Sequence, residues 1–299
     1  MRINTNISAM NTYSRLTSAN TAKSGSLAKL SSGLRINKAG DDAAGLAISE
    51  KMKNQVSGMT QATRNAQDGI SLIQTAEGAL SETHSILNRM RDLTVQAAND
   101  TNTNDDRLAI QTEIDSLTAE VDRIAGDTEF NTKNLLNGDK SFSFQIGSNA
   151  GQTIDVAISD MSASGLLNGA TVDPDSEEVT NGIKVSLTDA EVTANEADTD
   201  TENDTTVNFE TALTTIDTAI ESVSTQRANL GAVQNRLDHT ISNLSTTKEN
   251  LSEANSRIVD VDMAEEMMSF TKNNILSQAA TSMLAQANQM PQGVLSLLQ

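Results

Sequence analysis

FETALTTIDTAIESVSTQRANLGAVQNRLDHTISNLSTTKENL, residues 209–251, decides the fold. Phe209, Leu213, Ile216, Ile220, Val223, Arg227, Leu230, Gln234, Leu237, Ile241, Leu244, Lys248 and Leu251 recur at spacings of four and three, and ten of these thirteen are apolar. Such a rhythm keeps one stripe of a helix facing a neighbouring helix turn after turn, as in a coiled-coil seam. A matching stripe lies at the other end of the chain: Met59, Ala62, Ala66, Gly69, Ile73, Ala76, Leu80, Thr83, Leu87 and Met90. Two long matching helices with different material between them predict a rod. Rods scaffold or polymerise more often than they catalyse.

Working outward, Gly40-Asp41-Asp42 is a break followed by a good N-cap, because an Asp side chain accepts from the free N–H groups of a first turn. A helix is predicted from Ala43 to Ala98. Asn99–Asn104 reads as a turn. A third helix over Asp105–Ala125 carries Ile110, Ile114, Leu117, Val121 and Ile124, with Gly126 expected to end it. Residues 1–38 form a first helix with the stripe Tyr13, Leu16, Asn20, Lys23, Leu27, Leu30 and Leu34. A last helix covers Asp262–Leu298 with Leu276, Ala280, Met283, Ala287, Met290, Val294 and Leu297, and Pro291 should kink it or free a carbonyl.

The middle has a different period. Phe142, Phe144 and Ile146 alternate with polar residues, and so do Ile154, Val156 and Ile158, which predicts a hairpin closed over Gly147–Gly151. Asn137-Gly138 is a turn signal. Ile183, Val185 and Leu187 suggest a third strand. Residues 171–206 hold eleven acidic residues against one basic residue and are read as loop.

Composition narrows the class. Aromatics are 2% of 299 residues, with no Trp, which suits helices packed through Leu, Ile, Met and Ala better than an enzyme core. With no Cys there is no disulfide, thiol nucleophile or Cys-bound metal. A net charge of −19 argues against nucleic acid as a partner. No stretch is apolar for 18 residues, so no membrane span is expected. Met1–Ala22 lacks the apolar core of a cleaved secretory signal. His84 and His239 are the only histidines and neither lies in HExxH. Without a phosphate-binding loop either, no catalytic residue, cofactor or metal is expected.

The terminal stripes use Ala, Asn and Lys where a stable helix pair would use Leu. A buried Leu, Ile or Met contributes roughly 1.5–3 kcal/mol and an Ala much less. The pair is expected to be marginal alone and to become ordered when other copies cover its second face. The packing candidates are Leu16, Leu27, Leu30, Leu34, Leu276, Met283, Met290, Val294 and Leu297. Arg89 and Leu93, four apart, are read as lying off the Leu87/Met90/Thr94 stripe. Glu113 is placed at the edge of the Ile110/Ile114 stripe.

The opening MRINTN (1–6), LSSGLRIN (30–37), DDAAGLAIS (41–49), AQDGIS (66–71), DRIA (122–125), TEFN (128–131) and the closing LLQ (297–299) resemble bacterial flagellin over about 1–137 and 207–299. The resemblance implies a mainly α fold: a long antiparallel helical bundle or coiled coil built from both chain ends, with a small insert containing a β-hairpin. It implies terminal helices (1–42 and 260–299) lining an inner tube, a helical rod (43–137 and 207–259) around it, and a short β-rich, acidic variable insert (138–206). It also implies a secreted, extracellular helical homopolymer serving motility. Its partners would be the flagellar type III export apparatus, an export chaperone, and cap and junction proteins. Recognition by vertebrate Toll-like receptor 5 is implied at Arg89, Leu93 and Glu113. The insert contains no histidine, which sets it apart from the metalloprotease-like inserts some flagellins carry. A hook–filament junction protein and a monomeric secreted coiled-coil adhesin or effector are the alternatives. The matches at 66–71 and 122–131 favour flagellin over the junction protein.

Overall fold

The computed structural model describes residues 6–167, 171–172, 179–180 and 209–297, with side chains described for 6–167 and 209–289. Along the chain these form α1 (Ile7–Ser32), α2 (Ala43–Ala97), α3 (Asn104–Asp127), β1 (Glu129–Phe130), β2 (Lys133–Asn134), β3 (Lys140–Gln145), β4 (Thr153–Ile158), α4 (Ala163–Leu166), β5 (Thr171–Val172), β6 (Val179–Thr180), α5 (Phe209–Val259) and α6 (Met263–Leu297). The fold is mainly helical, as expected. Two compact units divide it: Met1–Ser57 with Thr246–Gln299, and Gly58–Ser245. The helices α2 and α5 contribute to both.

The second unit holds the apolar core. Every position of the α2 stripe from Met59 to Met90 is buried. From α5 come Ile216, Val223, Leu230 and Leu237, each at most 1% exposed, and from α3 come Ile114 and Val121. At intermediate steps the deepest residue lies one position away from the predicted one. Ala212 is buried beside half-buried Leu213, Ala219 beside Ile220, Thr118 beside Leu117, and Ala125 beside Ile124. Each of these helices meets more than one neighbour, so its buried face is wider than a two-helix seam. Surface pairs join the three helices. Arg91 Nε donates to Asp217 Oδ1 at 2.7 Å, and the Arg107 guanidinium lies 5.3 Å from the Phe209 ring centre.

The boundaries of α3 differ from expectation. Thr103 accepts from the Asp106 amide, and the Asp106 carboxylate accepts from the Thr103 amide, a reciprocal cap that starts the helix at Asn104. Gly126 does not end it. The helix continues to Asp127 because Asn134 Nδ2 donates to the terminal carbonyls of Ala125 (2.9 Å) and Gly126 (2.5 Å).

The predicted hairpin is β3–β4, antiparallel, with Phe142 opposite Val156 and Phe144 opposite Ile154. It packs into the helical core. Ile154, Val156 and Ile158 are buried. A Cβ placed on Gly69 would meet Phe144 at 3.4 Å and Leu237 at 3.5 Å, so this glycine allows the helices and hairpin to approach. Asn65 Nδ2 donates to Gln145 O (2.9 Å), and Gln226 Nε2 donates to Ala157 O (3.0 Å). The sequence division at 137/138 therefore cuts through a single packed unit. The suggested third strand at Ile183, Val185 and Leu187 lies outside the described residues. So does most of 171–206, of which only the β5–β6 pairing of Thr171 with Thr180 and Val172 with Val179 is described.

Gln226 is 5% exposed, so its amide has replaced water with one backbone bond. Gln226→Leu should leave the Ala157 carbonyl unpaired and cost about 1–3 kcal/mol in urea unfolding. An unchanged midpoint would mean the hairpin is held by its apolar side chains alone.

Candidate functional site

The first unit pairs α1 with α6 through a thin, polar contact. Asn6 caps α1 by accepting from the Ala9 amide (3.0 Å), and its Nδ2 donates to Ala287 O (2.8 Å). Further along, Lys23 Nζ donates to Asn274 Oδ1 (2.9 Å) and Ser277 Oγ donates to Asn20 Oδ1 (2.7 Å). Only Ser26 and Ala287 are buried on the described faces of these helices.

The packing candidates separate here. Leu16, Leu30 and Leu34 are half-buried. Leu27 (55% exposed), Leu276 (48%) and Met283 (58%) face outward. The covered faces carry Leu16, Ala19, Ser26 and Leu30 on α1 and Phe270, Ser277, Ala280, Leu284 and Ala287 on α6, so small and polar residues alternate there with a few bulky ones. An open, largely apolar groove lined by Arg15, Ala19, Leu276, Ala280 and Met283 runs beside them. The helix α6 continues through Pro291 to Leu297, while the side chains of Met290, Val294 and Leu297 lie outside the description.

Sequence reading missed further residues of this kind. Ile7, Met10, Met263, Met267, Met268 and Ile275 are also exposed. The available signal was apolar residues on two or three faces of helices too polar to be a closed core.

The connections between helices are firmly built. Gly33 ends α1 with φ +73°, a conformation few other residues adopt. Beyond it Leu34 bridges to Asp260: Arg35 N donates to Val259 O (2.6 Å) and Val261 N to Gly33 O (3.1 Å). The Asp41 carboxylate accepts from the amides of Lys38 (2.9 Å) and Asn37 (3.0 Å), and these bonds hold its pKa below the ordinary value. Asp42 Oδ1 accepts from Gly45 N (2.9 Å), the N-cap expected of it.

On the second unit, Arg89 Nε and Nη2 donate to Glu113 Oε1 at 3.0 and 2.8 Å, so two of the three receptor candidates form one half-exposed ion pair across α2 and α3. Leu93 is different. It is 2% exposed and belongs to the core cluster, together with Leu87, Met90 and Ala97. The expectation that it lies off the core stripe is corrected: α2 buries two adjacent faces here, and the position three residues after Met90 falls on the second.

Among the described residues no group of three or more His, Cys, Asp or Glu could hold a metal ion, and no helix is long and apolar enough to cross a membrane. His84 Nδ1 is buried with no hydrogen-bond partner.

Residues 3–141 match the bacterial flagellin N-terminal helical region, and residues 213–298 match the bacterial flagellin C-terminal helical region. The chain belongs to the bacterial flagellin family. It is 55% identical to the flagellin of Bacillus subtilis (strain 168) and 47% identical to that of Halalkalibacterium halodurans, each alignment covering 100% of both chains. The crystal structure of Bacillus cereus flagellin matches at 28% identity over 64% of this chain and 94% of that one, with a TM-score of 0.42. A putative flagellar hook-associated protein from Vibrio parahaemolyticus matches over 74% of this chain and 100% of that one, with a TM-score of 0.52. At 17% identity this likeness speaks for the fold alone. The chain is a structural subunit of the flagellar filament.

Proposed function

We propose that the terminal helices carry the subunit–subunit packing of the filament, with Leu16, Leu27, Leu30, Leu34, Leu276, Met283, Met290, Val294 and Leu297 facing neighbouring copies. One observation carries this reading. Among the described residues, eleven of the thirteen large exposed apolar side chains lie in the unit built from the chain ends, and two, Val95 and Leu108, lie in the other. Apolar surface concentrated in this way marks a binding face. Residues 1–42 and 260–299 then form the inner tube, and 43–137 with 207–259 the shell. The insert at 138–206 contributes its hairpin to that shell. The chain serves motility as an extracellular, non-enzymatic component. It leaves the cell through the flagellar export apparatus, with an export chaperone and with cap and junction proteins as partners.

Electron microscopy of the purified full-length chain after salt-induced polymerisation tests this. Long tubes of uniform diameter are expected. Dispersed single particles would favour the monomeric coiled-coil alternative, and a copy number of only a few per cell would favour a junction protein.

For Toll-like receptor 5, the Arg89–Glu113 pair is the exposed contact and Leu93 supports it from beneath. Arg89→Ala should change stability by at most about 1 kcal/mol, since exposed ion pairs contribute little. It should weaken receptor binding by about 2 kcal/mol, the loss expected of an anchoring Arg. Leu93→Ala should instead lower stability by about 2–5 kcal/mol, as a buried Leu does. Thermal melting and monomer affinity read both. Unchanged affinity in Arg89→Ala removes the receptor surface, and a melting temperature unaffected by Leu93→Ala contradicts its place in the core.

A further inference from the structure

The sulfur atoms of this chain are distributed unevenly. There is no Cys, so methionine is the only oxidisable sulfur. Met59, Met90 and Met161 are at most 4% exposed and lie in the second unit. Met10, Met263, Met267, Met268 and Met283 are 49–67% exposed, and all five lie in the unit built from the chain ends. Met263, Met267 and Met268 share the first two turns of α6, and Met283 lines the apolar groove between α1 and α6. Met52 is half-buried between these extremes; among the described residues the fold thus sets oxidant-accessible thioethers apart from protected ones, and puts the accessible ones in the unit assigned above to assembly.

We propose that these five methionines form a redox-sensitive modification site that governs whether a free subunit can assemble. The reactant is a two-electron oxidant of the peroxide class. The thioether sulfur attacks one peroxide oxygen, the O–O bond breaks, and that oxygen stays on sulfur as the sulfoxide. The other oxygen leaves as water after taking up the proton. Sulfur is oxidised by two electrons and the peroxide is reduced by two. A flexible apolar side chain becomes a polar one, which opposes burial against a neighbouring copy, and methionine sulfoxide reductases reverse the change. Buried Met59, Met90 and Met161 keep the second unit intact meanwhile. In a finished filament the same sulfurs are covered, so oxidation acts on subunits before assembly. The proposal rests on the terminal helices being the assembly face.

The test treats the full-length monomer and preformed filaments with graded hydrogen peroxide. Sulfoxide is quantified at each methionine by peptide mass spectrometry, helicity by circular dichroism, and polymer by sedimentation. In the monomer the five exposed methionines should oxidise about tenfold faster than Met59, Met90 and Met161, as exposure governs the rate. Polymer yield should fall about tenfold with helicity retained, and combined treatment with both sulfoxide reductases should restore it. In filaments the five should be protected. Oxidised monomer that polymerises as fast as untreated monomer overturns the redox proposal and leaves the assembly face standing. Five methionines as reactive in filaments as in monomer overturn both.

Discussion

A chain lacking Leu276–Gln299 is expected to form no filaments while keeping most of its helicity. The removed segment carries Leu276, Met283 and the α6 side of the Ser277–Asn20 and Asn6–Ala287 hydrogen bonds. It contributes nothing to the main core cluster, whose buried members all fall between Ala66 and Leu237. The second unit should therefore melt cooperatively near its normal temperature, and polymer in a sedimentation assay should drop at least about a hundredfold, because a polymer multiplies the loss of one contact along its length. Filaments of normal length from the truncated chain would remove the terminal helices from the assembly account. Loss of the main unfolding transition would instead place their role in folding.

The opposite outcome is expected for Leu237→Asp. Leu237 is fully buried on α5 and sits where α2 narrows to Gly69. A carboxylate there loses its water without gaining a partner and costs several kcal/mol. That rivals the roughly 5–15 kcal/mol that holds a whole domain together. The bundle should be largely unfolded at ambient temperature, and Leu230→Asp should behave alike. Arg227→Ala should change stability by no more than about 1 kcal/mol, although it too occupies the predicted seam. Its side chain is about a third exposed and reaches Glu77 at only 3.8 Å, so little is lost. Urea unfolding followed by circular dichroism separates the three variants. A smaller loss for Leu237→Asp than for Arg227→Ala would mean that the seam is assigned to the wrong face.

These contrasts show what the sequence could reveal. The α2 stripe was legible at every position from Met59 to Met90 because its four-three period runs unbroken through Met, Ile and Leu, even where Ala, Gly or Thr holds the place between them. The alternating residues of β3 and β4 made the hairpin legible too, and the structure supplies the register that sets Phe142 opposite Val156. Gln226 was not, because a polar residue beside an apolar stripe looks solvated until a hairpin carbonyl is found above it. Leu93 was misread because a stripe drawn for one neighbour cannot show a second. At the terminal helices the rhythm was real but its depth was not. Leu27, Leu276 and Met283 keep the period of a core stripe, yet they are exposed, while the covered faces of the two helices mix Ala and Ser with Leu16, Leu30, Phe270 and Leu284. Periodicity reports that a face will be covered and does not say whether by the same chain or another. The pairing of Arg89 with Glu113 needed the two helices side by side, since the residues are 24 positions apart.

Amide hydrogen exchange on the monomer and on the filament tests the assembly claim most directly. In the monomer, amides of α1 and α6 should exchange at least about a hundredfold faster than those of α2, α3 and α5 that bear the buried core, since thinly packed helices open locally at low free energy. In the filament, α1 and α6 should become as protected as that core. Unchanged exchange of α1 and α6 on assembly would contradict the account, because their exposed apolar faces would then remain uncovered in the polymer.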